Sequence, residues 1–280
     1  MHSTRRLLLT AAPATLLAAL LPGCALVSPR DDFKPVVGQA GKDVIWVPTP
    51  DAVVQRMLDL AEVKAGDRLV DLGAGDGKIA IAAAKRGARA RGIEFNPNMV
   101  ALSRRNAREA GVQVDFQQGD IFQADFRDAD VVTLFLLPEL NERLRPILLD
   151  MRPGTRVSSH QFRMGDWQPD RTEEVSGNDA HLWIVPAKVG GRWTVRVPDE
   201  QPLQLELQQQ YQKVEGHALV GGNRVPLQMV QLRGPAIRFE LAAGAGGTLR
   251  FEGAAGHSGP MQGTVTTAAG QRKAFTAMRG

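Results

Sequence analysis

The chain has 280 residues, of which 43% are hydrophobic, so it can form one large core or two of moderate size. Its 34 basic and 30 acidic residues give a formal charge of +4, without any block of lysine and arginine and with only 5% aromatic residues, so we expect no nucleic-acid partner. The single cysteine, Cys24, excludes an internal disulfide framework and a cysteine-ligated metal site in the body of the protein, and we expect no metal centre.

The N-terminal residues have the order of a signal peptide. Arg5 and Arg6 precede an apolar run over Leu7–Leu21, which is shorter than the roughly 20 residues that span a bilayer as a helix. The Leu-Pro-Gly-Cys sequence ending at Cys24 resembles the cleavage box of bacterial lipoproteins, and the arginine pair followed by leucines resembles a twin-arginine export signal. These resemblances imply that residues 1–23 are removed, that Cys24 is lipidated and that the protein is exported and membrane-anchored. An uncleaved anchor with a cytoplasmic protein is the alternative.

Residues 24–45 contain proline and glycine among charged residues, which predicts a tether before a folded domain over residues 46–188. Thr49 has a side-chain oxygen at a helix cap position and is followed by proline, so a helix is expected to begin there. From Asp67 onward, buried strands alternate with helices, which predicts a parallel sheet with right-handed crossovers. Strands are expected over Arg68–Asp71, Ala90–Glu94, Val112–Phe116, Val131–Leu137 and Thr155–His160, and helices over Lys78–Arg86, Pro97–Ala110 and Glu139–Met151.

Beyond Val189, short apolar stretches separated by glycine, proline or asparagine have the spacing of an antiparallel meander. Residues 189–280 are therefore predicted to form a small β sandwich or barrel, without a catalytic constellation. The predicted fold class is α/β, a Rossmann-like doubly wound sheet followed by a small all-β domain. The expected strands of the second domain are Trp193–Val197, Leu203–Gln209, Val225–Leu232, Ile237–Leu241, Leu249–Gly253, Met261–Thr266 and Lys273–Met278.

The turn after the first strand carries the strongest functional signal. Residues 71–77 read Asp-Leu-Gly-Ala-Gly-Asp-Gly, and glycines at alternate positions let a ligand lie against the main chain beside a helix N-terminus. The dinucleotide fingerprint requires a third glycine where the chain has Lys78, so a nicotinamide cofactor is not favoured. Glu94 ends the second strand, where an acid can accept hydrogen bonds from both hydroxyls of a ribose.

The D-x-G-x-G-x-G pattern resembles motif I of class I (Rossmann-like) S-adenosylmethionine (SAM)-dependent methyltransferases. The sequences around Thr49, residues 70–79 and residues 92–97 extend the resemblance, over about half of the chain, to seven-strand protein-lysine methyltransferases, including the non-SET histone enzymes and their mitochondrial relatives. In that family the segment before the first helix folds over the cofactor. The resemblance implies SAM as cofactor, and the implied contact residues are Thr49, Asp71, Gly73, Gly75, Gly77, Glu94, Asp120 and Ile121.

Each contact has an alternative explanation. The glycines could form a tight turn that binds nothing, Asp71 could be a structural cap, and Glu94 and Asp120 could be ordinary loop acids. The resemblance places Asp71 near the methionine amino group of the cofactor, Asp120 at the adenine amino group and Ile121 against the adenine ring.

The acceptor is less well defined. The fourth strand leads into Pro138 and Glu139, without the Asn-Pro-Pro-Tyr or Asp-Pro-Pro-Tyr box of amino-methylating nucleic-acid enzymes, so a protein lysine and a small molecule both remain open. Glu139 could orient an amine and His160 could take a proton, but a first-turn helix acid and a strand-end histidine are the alternatives. We expect Pro138, Asn141 and Ser159 nearby, and Trp167 and Trp183 in the core or at the rim.

The sequence thus predicts a SAM-dependent methyltransferase that acts on a protein or a small molecule. The alternative is an exported, lipid-anchored binding protein whose Rossmann unit is a non-catalytic scaffold and whose β domain recognises the partner.

Overall fold

The computed structural model describes residues 33–43, 45–242, 244, 247–256 and 258–280. The predicted signal peptide, Cys24 and the first part of the predicted tether lie outside these residues. None of the helices in the described part of the chain is long and apolar enough to cross a membrane.

A seven-stranded sheet with strand order β3-β2-β1-β4-β5-β7-β6 forms the first half of the fold. The first five strands are parallel, which confirms the predicted Rossmann-like α/β architecture. The strands are β1 Arg68–Leu72, β2 Arg89–Glu94, β3 Asp115–Gln118, β4 Val131–Leu134, β5 Arg156–His160, β6 Arg171–Val175 and β7 Asn178–Ile184. The helices are α1 Asp51–Leu60, α2 Lys78–Lys85, α3 Pro97–Glu109 and α4 Pro138–Leu149.

Apolar side chains cover both faces of this sheet. Alternate residues of β1 point to opposite faces, so Leu69 packs with the apolar side of α1 and α2, whereas Val70 and Leu72 pack with α4. Trp167 and Trp183 are fully buried on the α4 side, with their ring centroids 6.0 Å apart, as expected for core residues. Burial on both faces explains why the strands read as short continuous apolar runs.

Three strand predictions need correction. The hairpin of β6 and β7 was not predicted, because β6 reads Arg-Thr-Glu-Glu-Val and lies half exposed at the sheet edge. Strand β3 lies later than predicted, because Val112 and Val114 pack against the core before pairing with β2 begins. Strand β4 ends at Leu134, and the chain then turns over the cavity described below.

A separate antiparallel sheet of nine strands forms the second half. Its first strand pairs with its last, and β11 and β12, which are separated by Leu227, pair with β10 and β13 respectively. The sheet therefore closes on itself, in agreement with the barrel alternative. The strands are β8 Gly191–Arg196, β9 Leu203–Gln210, β10 Lys213–Val220, β11 Asn223–Pro226, β12 Gln228–Arg233, β13 Ala236–Ala242, β14 Thr248–Ala255, β15 Met261–Thr266 and β16 Arg272–Arg279.

Aromatic rings fill the interior of this closed sheet. Phe239 stacks on Phe251 at 4.8 Å between centroids, and Phe251 meets Phe275 edge-on at 5.4 Å. Strand β10 was not predicted, because Gly216 and His217 interrupt its alternation of apolar and polar residues. The two sheets are joined by contacts such as the 3.0 Å hydrogen bond from Trp167 Nε1 to Gln212 Oε1.

Candidate active site

A cavity of about 280 Å³ lies at the carboxyl ends of the parallel strands. It spans the place where the strand order reverses between β1 and β4, which is where open α/β sheets bind ligands. Among the described residues, its lining comes from the segment 39–49, the turn 71–79 and the ends of β2, β3 and β4, together with Phe162. The closed antiparallel sheet contributes none of these lining residues.

The glycine-rich turn presents bare main chain to the cavity. Gly73 and Gly75 have φ angles of +74° and +54°, in the left-handed region that favours glycine. A Cβ atom on Gly73 would lie 2.9 Å from Leu136 Cδ2, and one on Gly75 would lie 3.0 Å from Trp46 Nε1. The turn therefore has room for backbone but not for side chains.

Gly77 has a different place from the other two glycines. It begins α2 with φ +84°, and a Cβ atom there would lie 2.5 Å from Phe116 Cζ. It does not line the cavity, in contrast to its predicted role as a contact residue. Gly77 instead lets the start of α2 lie close to the Phe116 ring and to Ser103 on α3.

Asp71 is a buried acid that lines the cavity. Its side chain accepts a 2.8 Å hydrogen bond from Thr133 Oγ1. Burial raises the pKa of Asp71 to about 7, and the charges of Asp76 and Glu94 add to this effect. A buried acid with a raised pKa that lines a cavity suits a ligand cation, whose charge would restore the carboxylate.

Glu94 is held in place by the backbone around it. Its Oε2 accepts a hydrogen bond of 3.0 Å from the N–H of Gly75, and its Oε1 accepts one of 2.8 Å from the N–H of Asn96. A carboxylate can accept about four hydrogen bonds. Each oxygen therefore keeps capacity for one more donor, as two vicinal hydroxyls would require.

Asp120 and Ile121 follow β3 and line the same cavity. Asp120 Oδ1 accepts from the N–H of Phe122 at 2.9 Å, and Lys42 Nζ lies 2.6 Å from Asp120 Oδ2. The hydrogen bond from Lys42 is the main reason that the pKa of Asp120 lies below its ordinary value. The Lys42 ammonium also lies 4.7 Å from the centre of the Phe95 ring.

We call residues 39–49 the strap, because the described part of this segment lies across the cavity. Besides Lys42, it contributes Trp46 against Gly75 and a 3.8 Å contact from Gln39 Nε2 to Met99 Sδ. Residues 39–45 belong to the segment 24–45 that the sequence predicts as a tether, but their described part packs over the cavity. Proline and glycine among charged residues fit a packed irregular segment as well as a flexible one.

Thr49 lines the cavity, but it does not cap α1 as predicted. Pro50 holds the cap position without a side-chain hydrogen bond, and Thr49 Oγ1 instead lies 3.2 Å from His160 Nδ1. His160 Nε2 lies 3.2 Å from Asn178 Oδ1, and burial lowers the pKa of the imidazole. Because both ring nitrogens have partners and the ring does not line the cavity, His160 is placed to support Thr49 rather than to take a proton.

The other predicted catalytic residue, Glu139, is exposed on the first turn of α4 and lies outside the cavity lining. The ends of β4 and β5 instead line the cavity with apolar side chains. The centroid of the Phe135 ring lies 3.9 Å from that of the His160 ring. Phe135 also stacks on Phe162, with 6.0 Å between the ring centroids. The lining residues at this end are Phe135, Leu136, Leu137, Leu140 and Phe162.

Asn141 and Ser159, expected to face the acceptor, lie behind Phe162. Asn141 Nδ2 donates to the carbonyl oxygens of Phe162 and Arg163 at 3.3 Å, and Ser159 Oγ donates to that of Phe162 at 2.8 Å. Phe135 and Phe162 were not predicted as site residues, because single aromatic residues after a strand carry no motif. Across the described residues, no group of three or more His, Cys, Asp or Glu side chains could hold a metal ion.

Comparison with known proteins finds methyltransferases. A family model described as the ANTKMT methyltransferase domain matches residues 71–171. The chain is 42% identical over 144 residues to a protein-lysine N-methyltransferase of Saccharolobus islandicus, covering 49% of the chain and 89% of the relative. It is 36% identical over 137 residues to the adenine nucleotide translocase lysine N-methyltransferase of Mus musculus, covering 46% of the chain and 59% of that enzyme. The chain thus spans less than two thirds of the length of the mouse relative.

A solved structure is also similar. The chain is 53% identical to an RNA methyltransferase from Salinibacter ruber crystallised with S-adenosyl-L-homocysteine, with a TM-score of 0.50. The match covers 51% of the chain and 96% of the other. All three relatives match about half of this chain.

Proposed function

Since this chain belongs to the ANTKMT-like family of class I SAM-dependent methyltransferases, we propose that it transfers the methyl group of SAM to the side-chain amine of a protein lysine. The observation that carries the proposal is the 42% identity to a protein-lysine N-methyltransferase across 89% of that protein's length. The family membership favours an enzyme over the non-catalytic scaffold considered above.

The described residues fit the cofactor. Gly73 and Gly75 leave main chain where a Cβ would collide, and Asp71 is a buried acid in need of a cation. Asp71 would hold the ammonium group of the methionine part, and Glu94 would accept hydrogen bonds from both ribose hydroxyls. Asp120 would accept a hydrogen bond from the adenine amino group, with Ile121 against the ring.

When bound, SAM supplies a methyl group already activated on a sulfonium, so the protein needs little acid–base machinery. The chain's residues act by position and by excluding water. The strap covers the cavity through the Lys42–Asp120 contact, and Phe135 and Phe162 form an apolar wall on the acceptor side. His160 has both nitrogens engaged, so an acceptor ammonium would lose its proton to water before it enters.

Methylation of RNA is the second candidate, favoured by the Salinibacter ruber relative. The Phe135 and Phe162 rings could stack on a base. Phosphate binding has less support, because the lysines in the cavity lining have acidic partners: Lys42 contacts Asp120 and Lys78 Nζ lies 2.9 Å from Asp51 Oδ1.

A labelling experiment separates the two candidates. The full chain is incubated with SAM carrying a radioactive methyl group and a methyl-acceptor extract, and samples are then treated with proteinase or with ribonuclease. The proposal expects proteinase-sensitive label that acid hydrolysis recovers as methyllysine. Ribonuclease-sensitive label would support the RNA candidate and contradict the lysine proposal.

We also propose that the protein is exported and anchored through a lipid on Cys24, on the evidence of the N-terminal sequence alone. Because SAM is made in the cytoplasm, we infer a twin-arginine route that carries the domain out already folded with its ligand. Membrane fractions of cells that express the full chain should contain a protein that begins at acylated Cys24, and Cys24→Ser should abolish its acylation. A wholly cytoplasmic protein, unprocessed at Cys24, would contradict the export proposal.

We retain the division into domains 46–188 and 189–280 as a further proposal. The two sheets lie on either side of residues 185–190, and each has its own apolar core. Separately expressed residues 189–280 should unfold cooperatively; a fragment without a thermal transition would contradict the division.

A further inference from the structure

We propose that the ends of β4 and β5 form an apolar acceptor site that selects a lysine flanked by apolar residues in a protein. The proposal rests on the lysine methyltransferase function proposed above and specifies its substrate class. We call the site formed by Phe135, Leu136, Leu137, Leu140 and Phe162 the acceptor sleeve.

The order of the strands divides the cavity lining into a polar half and an apolar half. Asp120, Glu94 and Asp71 come from the ends of β3, β2 and β1, which are neighbours in the sheet. The next strands, β4 and β5, contribute only the apolar acceptor sleeve to the described lining. The polar half suits an adenosyl ligand, so the acceptor is left with the apolar half.

Apolar side chains also reach the surface at the mouth of the cavity. Leu137 is 38% exposed, Val47 is 39% exposed and Ile45 is 58% exposed, and all three line the cavity. A single exposed aliphatic residue needs no explanation, but several around one opening indicate a contact surface. The residues on either side of an acceptor lysine must cross this rim when its side chain enters.

The acceptor sleeve is held in a fixed shape. The carbonyl oxygen of Phe162 accepts from Ser159 and Asn141, both buried, and the Phe135 ring packs on buried His160. Gln161, the residue before Phe162, has a φ of +65°, which these contacts maintain. A preformed apolar surface favours binding of a matching apolar segment, because little side-chain freedom is lost.

The chemistry agrees with an apolar entrance. A lysine ammonium has no lone pair and is costly to transfer into apolar surroundings, so it gives one proton to water and enters as the neutral amine. The amine nitrogen then forms the new N–C bond with its lone pair while the C–S bond breaks toward sulfur. The product is a charged methylammonium, whose hydration favours its release to water.

The test compares Leu137→Ser with Leu219→Ser in the full chain. Leu219 is a matched control, because it is 44% exposed but lies on β10, away from the cavity. Two peptides are used, each with one lysine, one with leucine and valine on both sides and one with serine and glutamate. We expect the wild type to methylate the apolar peptide with about tenfold higher kcat/KM, since burial of one aliphatic side chain corresponds to at least this factor.

Leu137→Ser should remove most of this preference, whereas Leu219→Ser should retain it. Calorimetry with SAM checks the proposed function separately, and both variants should bind SAM with unchanged Kd. Equal kcat/KM for the two peptides, or equal effects of the two variants, would overturn the acceptor sleeve. Methylation of phosphatidylethanolamine vesicles in place of both peptides would overturn it in favour of a lipid amine, and failure to bind SAM would instead contradict the proposed function.

Discussion

The backbone N–H of Gly75 donates a 3.0 Å hydrogen bond to Oε2 of Glu94, which ties the glycine-rich turn after β1 to the acid that ends β2. The carboxylate is therefore already oriented by the same turn that leaves room for a ligand. One contact thus couples the shape of the cavity to its main polar group.

Replacement of Glu94 should weaken both cofactor binding and the fold. In Glu94→Gln one of the two backbone donors, Gly75 or Asn96, faces an amide NH₂ in place of an oxygen, which costs about 1–3 kcal/mol of stability. The variant also loses the charged acceptor for the ribose, and we expect the Kd for SAM to rise about 10- to 100-fold. Calorimetry measures the loss of stability and the Kd for SAM, with Glu174→Gln at an exposed position of β6 as control. An unchanged Kd would contradict the ribose contact.

Gly75→Ala should abolish SAM binding, because its Cβ would lie 3.0 Å from Trp46 Nε1 and would fill the turn. Gly111→Ala is a matched control: Gly111 also has a positive φ, +68°, but its Cβ would meet nothing within 4 Å. Both variants should lose about 1–2 kcal/mol from the backbone strain. Thermal shift with and without SAM measures both effects. Equal retention of the SAM-induced shift would show that the turn does not face the ligand.

Cofactor binding should depend on pH through Asp71, whose pKa burial raises to about 7. A ligand ammonium lowers that pKa, so binding at pH 7 should release about half a proton and affinity should rise about tenfold from pH 6 to pH 8. Titration calorimetry in buffers of different ionisation enthalpy measures the proton count. No release of protons, or affinity that falls with pH, would contradict the contact.

Because of the same raised pKa, ionised Asp71 lowers the stability of the ligand-free protein. A folded-state pKa above the unfolded value means that stability falls as pH rises from about 4 to about 7. Asparagine does not ionise, so Asp71→Asn lacks this loss. The free energy of unfolding of the ligand-free variant, relative to that of the wild type, should therefore be about 2–4 kcal/mol higher at pH 8 than at pH 4. Chemical denaturation at the two pH values measures the difference, and a stability gap that does not change with pH would contradict the raised pKa.

Loss of the Lys42–Asp120 contact should speed ligand dissociation with little change in stability. The pair is 2.6 Å apart and partly exposed, so Lys42→Ala should cost at most about 1 kcal/mol. Lys273→Ala is the control, because its 2.6 Å contact to Glu200 lies on the closed antiparallel sheet. Stopped-flow dissociation of S-adenosylhomocysteine should be several-fold faster only in Lys42→Ala. Equal rates in the two variants would mean that the strap does not hold the ligand.

Thr49→Val should be destabilising through His160. The substitution removes the partner of His160 Nδ1, and a buried group left without its hydrogen bond costs about 1–3 kcal/mol. Thr155→Val is the control, because the buried Thr155 Oγ1 has no partner among the described residues, so its removal should be neutral or stabilising. Chemical denaturation measures both, and a smaller loss in Thr49→Val than in Thr155→Val would contradict the assigned contact.

The parallel sheet and the polar half of the site could be predicted, because their signals are local. Alternating apolar strands and helices determine the topology, and the glycine spacing after β1 together with acids at the ends of β2 and β3 marks one edge of the sheet. The structure confirms the Rossmann-like α/β fold, and the comparisons confirm the SAM cofactor.

The family resemblance implied that the segment before the first helix covers the cofactor, but the contacts of the strap and the acceptor sleeve could not be predicted, because they join residues that are distant in the sequence. Lys42 meets Asp120 and Thr49 meets His160 only after the chain has folded. Glu139 and His160 were predicted at the acceptor site from their position near the strand ends, but neither lines the cavity. Such a position does not decide whether a side chain points to solvent, into the core or into the cavity.

A crystal structure of the full chain with S-adenosylhomocysteine would show directly how the cavity binds the cofactor product. We expect the ribose hydroxyls on Glu94, the ammonium at Asp71 and the sulfur facing Phe135 and Phe162 at the ends of β4 and β5. A ligand bound elsewhere, or one with its sulfur directed away from these two rings, would contradict this arrangement.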